Sequence, residues 1–180
     1  LWLPVMLCLF YGLRRSEVLG IQWRSVDFPV GTIQIQHTRV YQEVGGRQVF
    51  VGRDTMKQKA SCRTLPMPEE IAAVLQEEKQ SRYGKETPPP ENYLLNSEGE
   101  PIASNYLSQS FKQFLQDHGL RAIRLHDLRH TCASLLIQKR TPLIEVQQWL
   151  GHSTLSTTAD LYAHLEYETK LASAQTLKKI

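Results

Sequence analysis

Apolar residues recur at helical spacing over most of this 180-residue chain, and the exceptions fall in one block. Residues 4–11 suit one or two helical turns, and after Gly12 a second periodic stretch carries Leu13, Val18, Leu19 and Ile21 with Arg14, Ser16 and Glu17 between them. From Thr32 to His37 the period changes to two, Ile33 and Ile35 alternating with Gln34 and Gln36, which predicts a strand. Gly45-Gly46 then separates residues 38–44 from 47–51 as the two arms of a hairpin. A further strand is expected at 63–67, leaving 54–61 as the connecting loop or hairpin tip. Downstream the helical period returns. Pro68 opens a helix to about Tyr83, with Ile71, Val74 and Leu75 on one face and Gly84 as its stop, and Pro88-Pro89-Pro90 reads as a surface loop. Ser104 suits the N-cap of a helix through His118, ended by Gly119, and residues 126–138 repeat the pattern with Leu128, Cys132, Leu135 and Leu136. Thr141-Pro142 reads as N-cap and first residue of a short helix ending at Gly151, Ser156 as the cap of another that carries Tyr162, and the stretch 166–180 as helix-prone. These elements predict a mainly α fold with a small antiparallel β-sheet, an α+β domain that runs unbroken over 1–180.

Composition narrows the class. At 41% hydrophobic residues the chain can bury a core of its own, and its net charge of +3 permits a polyanionic partner without demanding one. The distribution is more telling than the sum: Arg53, Lys57, Lys59 and Arg63 face the single acid Asp54, and five Lys/Arg between Arg121 and Arg140 face only Asp127. Cys8, Cys62 and Cys132 are odd in number and form no CxxC pair, so neither a disulfide framework nor a thiolate zinc site is indicated, and a reducing, intracellular setting fits. The apolar opening is too short to span a bilayer and lacks the basic region and cleavage site of a signal peptide. With no initiator Met and a first residue already inside an apolar run, the chain is expected to be a piece of a longer protein.

Four stretches could carry chemistry. In His126-Asp-Leu-Arg129-His-Thr a proton-transfer group and a phosphate fork stand three positions apart, on one helical face. His126 and His130 also have the i, i+4 spacing of a zinc pair, although Asp127 is a shorter arm than the Glu of the usual motif and a third ligand is not evident. Leu150-Gly-His152-Ser precedes Tyr162-Ala-His164, where a lone tyrosine on an amphipathic helix is as well explained by the core. Gly12-Leu-Arg14-Arg-Ser-Glu17 brings Arg14 close to the start of a helix, where a surface position or pairing with an acid such as Glu17 is one reading and catalysis another. Lys57-Gln-Lys59-Ala-Ser-Cys-Arg63 is by itself a charge run.

Taken together, in this order and spacing, the four stretches resemble the catalytic domain of the tyrosine recombinase (phage integrase) family, over nearly the whole chain. The resemblance implies the fold of that domain, as the C-terminal part of a longer chain whose upstream DNA-binding domain is absent here. It also makes Arg14 and Arg129 the active-site arginines, Lys57 the hairpin lysine, His126 and His152 the histidines and Tyr162 the nucleophile. Met56-Lys57-Gln58 departs from the family's common Pro-Lys-Thr, which leaves Lys59 as an alternative to Lys57. The reaction implied is site-specific DNA recombination through a 3′-phosphotyrosine, with no metal, cofactor or nucleotide. Its partners would be double-stranded DNA at a recombination site, a Holliday junction and three further copies in a homotetramer, with no membrane. The resemblance also implies a cytoplasmic, bacterial or phage-encoded protein, and the long hairpin over 38–53 favours a mobile-element integrase. Three rivals remain open: a type IB topoisomerase, against which Leu-Gly-His-Ser and Tyr-Ala-His speak, a metal-dependent hydrolase built on His126 and His130, and a DNA-binding module without catalysis.

Overall fold

The computed structural model describes residues 1–44, 47–54, 62–97, 100–156, 158–159 and 162–163, and everything structural below refers to these. Helix α1 (Trp2–Tyr11) buries Leu3, Leu7, Cys8 and Tyr11 along one side and ends at Gly12, whose φ of 61° lies in the left-handed region. Glycine is required there twice over. Besides the backbone strain, a Cβ on Gly12 would stand 2.4 Å from Leu150 Cδ2 and 3.2 Å from Cys132 Sγ, so this turn is where three helices close on one another. The chain then enters α2 (Arg15–Val18), one helical turn rather than the longer helix its periodicity suggests, because Leu19 and Ile21 continue into the core beyond it.

A short 3-10 turn (Trp23–Ser25) leads into β1 (Val26–Asp27) and β2 (Thr32–Ile35), and β2 pairs antiparallel with both β1 and β5 (Arg63–Pro66). The alternation in β2 is explained by burial: Ile33 and Ile35 point into the core, and Gln34 is exposed. One sheet was expected from these strands, yet β3 (His37–Val44) and β4 (Arg47–Asp54) form a separate two-stranded ladder, in register from His37↔Asp54 to Val44↔Arg47. The chain leaves β2 at Gln36, and β5 takes the edge position beside β2 that β3 would have needed. The ladder is anchored at its base, where Arg39 lies 4.5 Å over the Tyr93 ring and His37 Nε2 is 3.1 Å from the Tyr93 hydroxyl. Residues 55–61, with Lys57 and Lys59, lie outside the described residues.

Helix α3 (Glu69–Tyr83) packs Ile71 and Leu75 inward and begins on Pro68 as expected. A two-residue pair of strands, β6 (Asn96–Ser97) and β7 (Glu100–Pro101), precedes α4 (Ser104–Asp117), whose Leu107, Phe111 and Leu115 are buried. Ser104 is the first residue inside α4 and not its cap; Ala103 holds the cap position. Helix α5 (Asp127–Gln138) and helix α6 (Leu143–Leu150) pack together through Cys132, Ala133, Val146 and Leu150. The cap of α6 falls on Pro142, one residue after the expected Thr141, and Gly151 closes the helix at a φ of 67°. Residues 155–156, 158–159 and 162–163 are helical, so Ser156 lies inside this stretch, its hydroxyl 3.0 Å from that of Thr154, and does not cap it. The stretch 166–180 lies outside the described residues. The fold is mainly helical with small antiparallel sheets, and among the described residues no helix is long and apolar enough to cross a membrane.

Candidate active site

The polar centre of the molecule is built around a carboxylate. Because Gly12 turns the chain sharply out of α1, Arg14 becomes the N-cap of α2, and Glu17, at the third helical position, accepts its backbone N–H at 2.8 Å. The same carboxylate accepts Arg14 Nη1 at 2.9 Å and both terminal nitrogens of Arg63, at 3.2 and 3.1 Å. Arg129 Nη1 stands 4.0 Å from it. Glu17 is buried, and burial pushes its pKa up, but the Arg63 ion pair and hydrogen bonds together with Arg14 outweigh that and hold it below the usual carboxylate range. Three guanidinium charges therefore converge on one carboxylate charge and leave two in excess, in surroundings where a pair 4 Å apart interacts by about 4 kcal/mol at an effective dielectric of about 20. Such a cluster has the charge and the donors to hold an anion.

Arg129 supplies its most desolvated donor. The side chain projects from the first turn of α5, is 4% exposed, and donates Nη1 to the Gly12 carbonyl at 2.6 Å. Its Nη2 is buried with no hydrogen-bond partner among the described residues. Burial, followed by repulsion from Arg14, lowers its pKa to about 10, so it stays charged at neutral pH. Leaving a buried donor without an acceptor costs on the order of 1–3 kcal/mol, and more when the group is charged, which an anion at the site would recover. Arg14 is the more open of the pair, 38% exposed, and donates Nη2 to the Gly151 carbonyl at 3.1 Å.

That carbonyl belongs to the turn that delivers His152. The left-handed Gly151 reverses the chain after α6, and His152 Nδ1 comes to rest 2.9 Å from the Thr158 hydroxyl. Burial first, then Arg129, Arg14, Arg63 and His130, depress its pKa from 6.5 to about 4, so the ring is neutral at pH 7. The sign of the pH effect follows. Between pH 6.5 and 4 the unfolded chain carries a proton on this ring that the folded chain refuses, so stability is complete above pH 6.5 and falls as the pH drops through that window. Thermal unfolding at pH 7.5 and 5 should show a drop in Tm that is smaller in His152→Asn. An equal drop in both proteins would assign the pH dependence to other groups.

His126 is the N-cap of α5 with helical backbone angles, which keeps it on the same side as Arg129 although it precedes the helix proper. Its ring stands edge-on to that of His130, with centroids 5.1 Å apart. Partial burial and the charges of His130, Arg129 and Arg124 lower its pKa, which favours the neutral base. Asp127 turns away to Arg124, bonded at 2.7 Å, and among the described residues no group of three His, Cys, Asp or Glu side chains converges to hold a metal. Tyr162 is helical and 37% exposed. Lys57 and His164 lie outside the described residues. Of the residues singled out in the sequence, the structure thus brings Arg14, Arg129 and His152 into one charged cluster. It adds Arg63, read beforehand only as part of a basic run, and gives Glu17 two more arginines than the one its spacing suggested.

Comparison with known proteins bears on the family and the fold. Residues 2–169 match the family described as the phage integrase family. A XerC-like tyrosine recombinase of Caldanaerobacter subterraneus is 29% identical over 94% of this chain and 46% of its own length. The ICEBs1 integrase of Bacillus subtilis is 29% identical over 86% and 42%. The chain thus spans about half the length of the curated relatives it matches. Among solved structures, the Tn1549 transposon integrase in complex with transposon right end DNA superposes with a TM-score of 0.77 at 22% identity, covering 98% of this chain and 58% of that one. XerH bound to palindromic difH does so at 0.63 and 25%, covering 99% and 45%. With nearly its full length matched and its arginine, histidine and tyrosine motifs in order, the chain belongs to the phage integrase family of tyrosine recombinases.

Proposed function

We propose that this chain is the catalytic domain of a site-specific DNA recombinase that cuts and rejoins strands through Tyr162. The observation that carries the proposal is the convergence of Arg14, Arg63 and Arg129 on one buried carboxylate beside a neutral His152, a site with positive charge in excess. The tyrosine hydroxyl attacks a backbone phosphorus, the bond from phosphorus to the 5′-oxygen breaks, and a 3′-phosphotyrosine and a free 5′-hydroxyl result. One phosphoester is exchanged for another, so the step is reversible without a nucleotide. Arg14 and Arg129 stabilise the charge that builds on the non-bridging oxygens in the transition state. In the tautomer whose Nδ1 accepts from the Thr158 hydroxyl, neutral His152 presents Nε2–H as a donor to the same oxygens. His126, held as a neutral base, can take the phenolic proton. Lys57, by its position in the motif, would protonate the leaving 5′-oxygen. Duplex DNA at a recombination site is the partner, assembled as a homotetramer through a Holliday junction, in the cytoplasm of a bacterial cell. The mobile-element relatives favour integration and excision of such an element.

A nicked suicide duplex, in which the fragment beyond the cut diffuses away, traps the covalent product. The protein should shift to a DNA-linked band on a denaturing gel, equally in excess EDTA. Loss of the reaction in EDTA, restored by a divalent cation, would instead support a metal-dependent hydrolase built on His126 and His130.

A further inference from the structure

Resting on that reading, we infer that Arg63 is a positioning residue of the phosphate site, setting the geometry of the arginines that meet the substrate. Its guanidinium uses all three nitrogens. Nε donates to the Trp149 carbonyl at 2.7 Å, in the last turn of α6, while Nη1 and Nη2 engage the two oxygens of Glu17 as a fork. Its side chain is 7% exposed. Room for it comes from the glycine of the histidine-bearing turn: a Cβ on Gly151 would stand 2.6 Å from Arg63 Nη1. One side chain at the start of β5 therefore joins the motif of Arg14 and Glu17 to the turn of Gly151 and His152. The same Glu17 oxygens orient Arg14, and Arg14 in turn reaches back to the Gly151 carbonyl, so the three groups close a ring of bonds. Arg63 also fixes the chain just beyond Lys57, on the strand that follows the segment carrying it. Its nitrogens are committed to protein acceptors. Its effect on the reaction must therefore pass through the placement of Arg14 and His152.

Lysine retains the charge but cannot span Trp149 and both Glu17 oxygens with one rigid fork. Arg63→Lys and Arg63→Gln are compared with wild type in single-turnover cleavage of suicide duplexes, alongside DNA affinity and thermal unfolding. Each duplex is made with an ordinary scissile phosphate and with a methylphosphonate, which has no negative charge. Cleavage of the ordinary phosphate should fall about 100-fold in both variants, since misplacement by about 1 Å has this order of effect. DNA affinity should stay within about threefold. The defect should shrink to less than about tenfold on the methylphosphonate, where there is no charge for the arginines to meet, and Arg63→Lys should retain more activity than Arg63→Gln. Cleavage within threefold of wild type, an equal defect on both duplexes, or failure of both variants to fold would each overturn the inference, the last assigning Arg63 to the fold alone. A wild-type protein that forms no covalent complex on either duplex overturns the functional reading as well.

Discussion

Tyr162→Phe is expected to abolish the covalent protein–DNA band while leaving non-covalent binding intact. The substitution removes one oxygen from a side chain that is 37% exposed, so its effect on folding is limited to about 1 kcal/mol, the net worth of a single hydrogen bond. The proposed chemistry, in contrast, loses its nucleophile. A phenol of pKa about 10 is neutral at pH 7 but gives up its proton to a neighbouring base as attack proceeds, and phenylalanine has no oxygen with which to attack. Loss of a covalent nucleophile costs up to about 10⁶-fold, so cleavage should fall below detection. A mobility-shift titration with the same duplex should give an unchanged Kd. Persistence of the covalent band in Tyr162→Phe would move the nucleophile to another residue and dismantle the functional proposal.

The second large effect is expected of Arg129→Lys. The substitution keeps one positive charge in the first turn of α5, but an ammonium that satisfies the Gly12 carbonyl has no planar second arm to replace Nη2. In wild type that second arm is already desolvated and without a partner among the described residues, so its cost is met before the substrate arrives. Stabilisation by a preorganised donor of this kind is typically worth about 10²–10³-fold in rate. Single-turnover cleavage should fall by that factor, with Tm within a few degrees of wild type because Glu17 keeps its bonds to Arg14 and Arg63. A variant that cleaves at the wild-type rate would show that Arg129 serves only to hold α5 against the Gly12 turn.

The elements were legible because their signals are local. The left-handed turns at Gly12 and Gly151, the two-residue alternation of β2 and the helical stripe of α4 each depend on neighbours within a few positions, and each lies where the pattern indicates. Boundaries were less secure, for a physical reason. Ser104 and Ser156 have the chemistry of caps but stand inside their helical stretches, since the direction in which the chain enters is set by what precedes it, Ala103 in one case and the turn after Gly151 in the other. The division of the strands into two sheets was equally hidden, because strand pairing is decided by which edge lies nearest in space.

By itself the sequence determined the family, through four collinear motifs, and with it the residues that deserve attention: Arg14, His126, Arg129, His152 and Tyr162. The tertiary structure alone decided how they are connected. Arg63 meets Glu17 across 46 positions and Arg129 meets the Gly12 carbonyl across 117, and no local pattern records contacts at such range. A charge run on paper is ambiguous because exposed and buried arginines look alike there. Burial separates them: an arginine withdrawn from water must find an acid, a carbonyl or a substrate. In this molecule Arg63 has found the first two, and Arg129 has one arm, Nη2, buried without a partner among the described residues.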